Sequence, residues 1–260
     1  MLTGGVASLT AASVGTISAS ISSDPLGCAT VSWMAGFFDK VFTDGFKNAL
    51  AEGDRRAQNS WKIFGGLFQT DGNSRNPEDQ ILRRGTWELP QTNLGIAFSQ
   101  IKNVLSPAEV EYFHGVTLVN SNGGDVFSGM TLSNYIIGKN LNTSINSLST
   151  YNEKIGFYMF VHEFGHTMQS RRSGPLYLNK YGIPSLYDQI FRGEESHDDF
   201  WVETDANRRA CIYFAGASIS GFNYTDFIQG PEYTIGYRPS GYGNNTDKIR
   251  NPKWYDWFFW

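Results

Sequence analysis

Tyr151-Asn152-Glu153-Lys154-Ile155-Gly156-Phe157-Tyr158-Met159-Phe160-Val161-His162-Glu163-Phe164-Gly165-His166-Thr167-Met168-Gln169 is apolar on most sides of a helical wheel, yet it carries two histidines and a carboxylate. Ile155, Phe157, Tyr158, Met159, Val161, Phe164 and Met168 predict a buried helix. It ends at Ser170-Arg171-Arg172-Ser173-Gly174-Pro175, with basic residues in the last turn, then Gly, then Pro. Within it His162-Glu163-Phe164-Gly165-His166 is an H-E-x-x-H motif. Positions i and i+4 of an α-helix lie about 40° apart and about 6 Å along the axis, so both imidazoles can meet one zinc ion. Glu163 sits about 100° round, near the metal without ligating it, where it can act as general base and then general acid. A chain with 4 His and 11 Glu is expected to contain such a match by chance at roughly 0.003 per chain. Burying these three polar groups without a metal or partners would be costly.

A catalytic zinc takes a third protein ligand and keeps one position open. The longer H-E-x-x-H-x-x-G-x-x-H pattern does not fit, because Gln169 and Arg172 stand at its Gly and His positions. Glu203 is the preferred third ligand, on a second helix predicted over 198–214. Asn207, one turn later on the same face, is placed to accept the outer N–H of a ligating imidazole. Ala206 is small enough to let the two helices approach. His197 is the rival ligand, and Asp205 and Glu195 are weaker ones. His114 reads as a half-buried strand histidine.

Outward from these helices the pattern changes. Tyr112 to Val119 is rich in β-formers, Asn122-Gly123-Gly124-Asp125 is a turn signal, and Val126 to Gly138 offers one or two more strands. Together they predict a small antiparallel or mixed sheet packed on the metal-bearing helix, with a mostly helical C-terminal part, an α+β fold. Gln69 to Pro77 reads as a loop. Ser106-Pro107 can open a short helix or turn, with Ser106 as N-cap. Met34, Phe37, Phe38, Val41 and Phe42 have helical spacing and predict an amphipathic helix packed on the core. Two parts are expected: a small-residue-rich leader with a helical appendage over 1–60, and the main domain over 61–260. The cluster Trp254-Tyr255-Asp256-Trp257-Phe258-Phe259-Trp260 should dock on the body or on a partner, since exposed it would be adhesive.

Composition excludes several functions. The 260 residues carry 21 basic and 25 acidic side chains, a net charge of −4. That balance and the lack of a basic patch argue against nucleic acid and anionic membranes as partners. No run approaches the roughly 20 apolar residues of a membrane span. Met1 to Ser23 holds no charge and has neither the basic nor the dense apolar region of a signal peptide. Cys28 and Cys211 are too few for a disulfide framework and read as free, buried thiols.

H-E-x-x-H followed by a helical Glu resembles the gluzincin branch of the zincin metallopeptidases. That family usually has an acidic residue four after the ligand Glu, where this chain has Asn207. The longer stretches His162 to Leu178, Tyr181-Gly182-Ile183-Pro184-Ser185-Leu186 and Trp201-Val202-Glu203-Thr204-Asp205-Ala206-Asn207-Arg208 resemble something narrower. They are similar to metallopeptidase-like domains at the C-termini of bacterial Rhs-repeat and related polymorphic proteins, notably in Bacteroidetes. Thr86-Trp87-Glu88-Leu89-Pro90-Gln91-Thr92 is similar as well. The resemblance covers about residues 60–215.

It implies a zincin-like fold and zinc-dependent peptide-bond hydrolysis. It also implies secretion or delivery as an effector or toxin domain, joined to an upstream polypeptide and matched by a cognate immunity protein. Zincins commonly lay the substrate along a sheet edge, here within 112–137. His197, Tyr181, Tyr213 and Arg208 are candidates to stabilise the oxyanion. Two rival readings are a zinc-stabilised, non-catalytic binding module and a zinc hydrolase acting on another amide or an ester.

Overall fold

Two tight turns create the sheet. His114 and Gly115 both take positive φ (46° and 79°), the pairing a type I′ hairpin turn requires. They split the expected strand at 112–119 into β1 (Glu109–Phe113) and β2 (Val116–Ser121). Ser133, at φ 57°, turns β3 (Ser128–Leu132) into β4 (Tyr135–Lys139). The strand order is β1-β2-β4-β3. β1 with β2 and β3 with β4 are antiparallel, whereas β2 and β4 run parallel, so the sheet is mixed. The computed structural model describes residues 24–72, 74, 76–124, 126–144, 151–192 and 200–216.

Among the described residues seven α-helices surround this sheet: α1 (Pro25–Val41), α2 (Phe46–Gly65), α3 (Pro77–Gly85), α4 (Leu89–Leu105), α5 (Tyr151–Ser173), α6 (Ile183–Arg192) and α7 (Trp201–Gly216). Strand alternation sends side chains to opposite faces. Val119 and Tyr135 join Ile63, Phe64 and Ile96 of α2 and α4 in one core. Val116, Leu118 and Ile136 join Phe157, Phe160, Phe164, Ala210 and Phe214 of α5 and α7 in another. The sheet is therefore a middle layer, and the motif helix lies on one side of it. Cys28 belongs to the first core and Cys211 to the second, and both are buried.

Two local expectations change. Ser106 is the extended C-cap of α4, bonded to Lys102 O, and β1 follows it. Pro107 disfavours helical geometry at the residue before it, so the pair ends a helix rather than starting one. On α1 the buried residues are Cys28, Ala29, Ser32 and Gly36, while Met34, Phe38 and Phe42 are exposed. A Cβ at Gly36 would stand 2.7 Å from Glu52 O, and one at Gly53 would stand 3.0 Å from Trp33. Close helix approach, not the apolar stripe, sets which face is buried. Residue 60 lies within α2, whose Arg56 and Asn59 donate to the carbonyls of Val104 and Ala108.

Candidate metal centre

α5 and α7 pack so closely that a Cβ on Gly165 would collide with the backbone carbonyl of Ala206. The glycine between the motif's two histidines thus lets Glu203 reach them. His162 Nε2 lies 3.2 Å from His166 Nε2, and Glu203 Oε2 lies 3.3 Å and 3.0 Å from the two. Bonds of about 2.0–2.1 Å give a tetrahedral zinc site edges of about 3.3–3.4 Å between ligand atoms. The triangle matches that size. His162, His166 and Glu203 therefore form a group that could bind a metal ion, with His166 and Glu203 buried and His162 partly exposed.

The outer faces of the imidazoles fix which nitrogens point inward. Gln169 Nε2 donates to Val202 O (2.8 Å) and to Asp205 Oδ2 (2.9 Å). Its oxygen must then face His166 Nδ1, 2.8 Å away. An amide oxygen only accepts, so Nδ1 carries the proton and neutral His166 turns a lone pair inward. Asn207 Oδ1 lies 2.6 Å from His162 Nδ1 and acts likewise. Two nitrogen lone pairs and a carboxylate oxygen within about 3.3 Å repel one another unless a cation joins them.

Protons compete for the same atoms. Burial by itself would lower both histidines, but the charge and hydrogen bonds of Glu203 outweigh it. His162 is held above its ordinary value and His166 rises to about 9. Burial would raise Glu203, yet the two imidazoles hold its carboxyl well below the usual carboxylate range.

Glu163 is buried beneath β3. The Thr131 hydroxyl lies 2.7 Å from its Oε2 and 3.0 Å from its main-chain oxygen. A Cβ on Gly129 would stand 2.5 Å from Glu163 Cγ and closer still to Oε1. Only glycine at that point of β3 gives the carboxylate room. Tyr177 donates its hydroxyl to Thr131 O at 3.1 Å, and burial pushes its phenol well up.

The other sequence candidates lie elsewhere. Asp205 holds Gln169 and Arg209 and does not join the triangle. Burial raises its carboxyl despite the flanking arginines. Arg208 reaches Asp205 at 3.4 Å. Tyr181 is buried against Tyr177 and Trp201. Tyr213 donates to Asp71 at 2.6 Å and sits 2.9 Å from His114 Nδ1. His197 and Glu195 lie outside the described residues. A hollow of about 480 Å³, lined by Glu109, Glu111, Asn120 and Glu153 among others, opens at the start of α5, about 14 Å along the helix from His162.

Sequence reasoning missed Gln169, Thr131 and Gly129. Gln169 had a signal, because it stands three residues after His166 on the same helical face. The other two come from a strand 32 or more residues away and had none. No family model, no curated protein and no solved structure matches this chain.

Proposed function

We propose that the protein is a zinc-dependent peptide hydrolase in which His162, His166 and Glu203 hold the metal and Glu163 moves the proton. The triangle of inward-facing Nε2, Nε2 and Oε2 atoms carries this reading. Its edges of 3.0–3.3 Å suit zinc, and the nitrogen-and-oxygen donor set is that of catalytic zinc centres. Zinc, when bound, would lower the pKa of a water and polarise a scissile carbonyl. Glu163, held by Thr131, takes the proton from the attacking water and delivers it to the departing nitrogen. β3 is an edge strand, and it brings Gly129 onto Glu163. An extended peptide added to that edge would pass beside the carboxylate.

The finer identity follows from resemblance. The H-E-x-x-H motif with Glu203 and the stretches around Tyr181 and Trp201 are gluzincin-like and similar to the C-terminal domains of bacterial Rhs-repeat proteins. Delivery as a secreted effector, an upstream carrier polypeptide and a cognate immunity protein rest on that likeness alone. Among the described residues no helix is long and apolar enough to cross a membrane.

The test is a proteome-wide cleavage screen comparing wild type with Glu163→Gln, both loaded with zinc. The variant should keep near-stoichiometric zinc and lose cleavage by about 10²-fold or more. Equal cleavage by both proteins would refute the mechanism. Zinc retention with no cleavage by wild type against any protein fraction would favour the binding-module reading.

A further inference from the structure

The hairpin of β3 and β4 decides which main-chain groups of β3 face away from the sheet. Its two-residue turn, Ser133 and Asn134, makes Leu132 and Tyr135 the closing pair, and such a pair exchanges hydrogen bonds. Bonded pairs alternate along an antiparallel ladder, so Met130 and Ser128 also turn their main-chain groups toward β4. Gly129 and Thr131 turn theirs outward, to the side on which the described residues supply no further strand. The bond from the Tyr177 hydroxyl to Thr131 O, at 3.1 Å, agrees with that direction.

That hydroxyl stands where the N–H of an added strand would stand, since backbone pairing sets N and O about 2.9–3.0 Å apart. Tyr177 is 3% exposed. Its ring stacks on Tyr181 with centroids 6.0 Å apart, and Tyr181 lies against Trp201 in turn. The short turn after α5 delivers it, where Gly174 takes positive φ (52°) and a Cβ would collide with the Trp87 indole. Tyr177 is therefore a fixed plug at Thr131. Two residues back, Gly129 is half-buried, and Ser128 and Met130 on either side of it are exposed. The same stretch holds Glu163, because Gly129 leaves it room and Thr131 bonds it. A peptide residue paired with Gly129 is followed by one opposite Met130, and the next would meet Tyr177. An extended peptide anchored on Gly129 thus has room for about one more residue in the direction of Thr131.

We infer that Tyr177 ends the substrate cleft at Thr131, so that the site takes chain ends. Its substrates are peptides and protein tails with a terminus within about one or two residues of the Gly129 anchor, not the middle of a long chain. The inference rests on peptide hydrolysis at the metal site. A library of linear peptides from a proteome digest, incubated with zinc-loaded wild type, tests it, and Glu163→Gln marks which cuts belong to the site. Per available bond, cuts within about three residues of one terminus should exceed deeper ones by about 10-fold. A head-to-tail cyclic form of a well-cut peptide should be cleaved at least about 10-fold more slowly than the linear form. Tyr177→Ala removes the plug and should move cuts inward. Tyr177→Phe keeps the ring, so its cut pattern should match wild type and its kcat should stay within about 3-fold. Deep cuts as frequent as terminal ones in wild type, or equal cleavage of cyclic and linear forms, would overturn the inference and leave the hydrolase standing. An unchanged pattern in folded, zinc-loaded Tyr177→Ala would overturn it too. So would a loss of about 10²-fold in kcat for Tyr177→Phe, which would make the hydroxyl part of the chemistry instead. A complete lack of Glu163-dependent cuts would remove the hydrolase reading and this inference with it.

Discussion

His166 and Glu203 define each other. In the fold the carboxylate holds His166 near 9, against an ordinary value of 6.5, and the imidazoles hold Glu203 well below 4.5. For metal-free protein the sign follows from linkage. The histidine's contribution is complete below about 6.5 and is lost as pH rises toward 9. The carboxylate's contribution is present above about 4.5 and is lost as pH falls through its lowered value. Zinc reverses the trend, because it binds the deprotonated imidazole. The thermal midpoint of chelator-treated protein should therefore fall between pH 6.5 and 9, while the gain from added zinc grows over that interval. Differential scanning fluorimetry reads both. A zinc gain that shrinks with rising pH would contradict the assignment of these ligands.

At the scale of elements, two glycines separate metal binding from chemistry. Gly165 permits the approach of α5 to α7, and Gly129 permits the approach of β3 to Glu163. Gly165→Ala drives a methyl into the Ala206 carbonyl. It should weaken zinc binding and destabilise the fold by about 1–3 kcal/mol, the usual cost of overpacking. Gly129→Ala displaces Glu163 instead, so zinc affinity should hold while turnover falls by about 10²-fold. Zinc titration and cleavage rate measured on both variants check this pair. Parallel losses of binding and rate in the two would show that the helices and the strand do not have separate roles.

For the molecule as a whole, buried polar knots join the layers. Glu88 accepts from Ser170 of α5 at 2.7 Å and from Ser133 of the β3–β4 turn at 3.3 Å. Thr92 bonds Ser133, and Gln91 donates to Gly174 O. Glu88→Ala leaves these partners unsatisfied and should cost about 1–3 kcal/mol, read as a lower urea midpoint with zinc affinity unchanged. A midpoint equal to wild type would remove Glu88 from the structural frame.

How much of this could be read in the sequence depended on the range of the forces. The helices at 151–173 and 201–216 and the turn at Gly123-Gly124 were legible because periodicity and turn chemistry are local. The pairing of His162 with His166 was legible because helix geometry fixes it. The parallel contact of β2 with β4 and the small-residue face of α1 were not, since both depend on partners distant in the chain. Gln169 is instructive, because the residue that breaks one metal-site pattern supplies the amide oxygen beside His166.

The most direct test of the central claim is X-ray absorption at the zinc edge of the loaded protein, wild type beside Glu203→Ala. Wild type should show two imidazole nitrogens and a carboxylate oxygen at about 2.0–2.1 Å, with one zinc per chain. The variant should lose the carboxylate oxygen and most of its zinc affinity. A sulfur shell, or an identical spectrum and affinity in Glu203→Ala, would contradict the account.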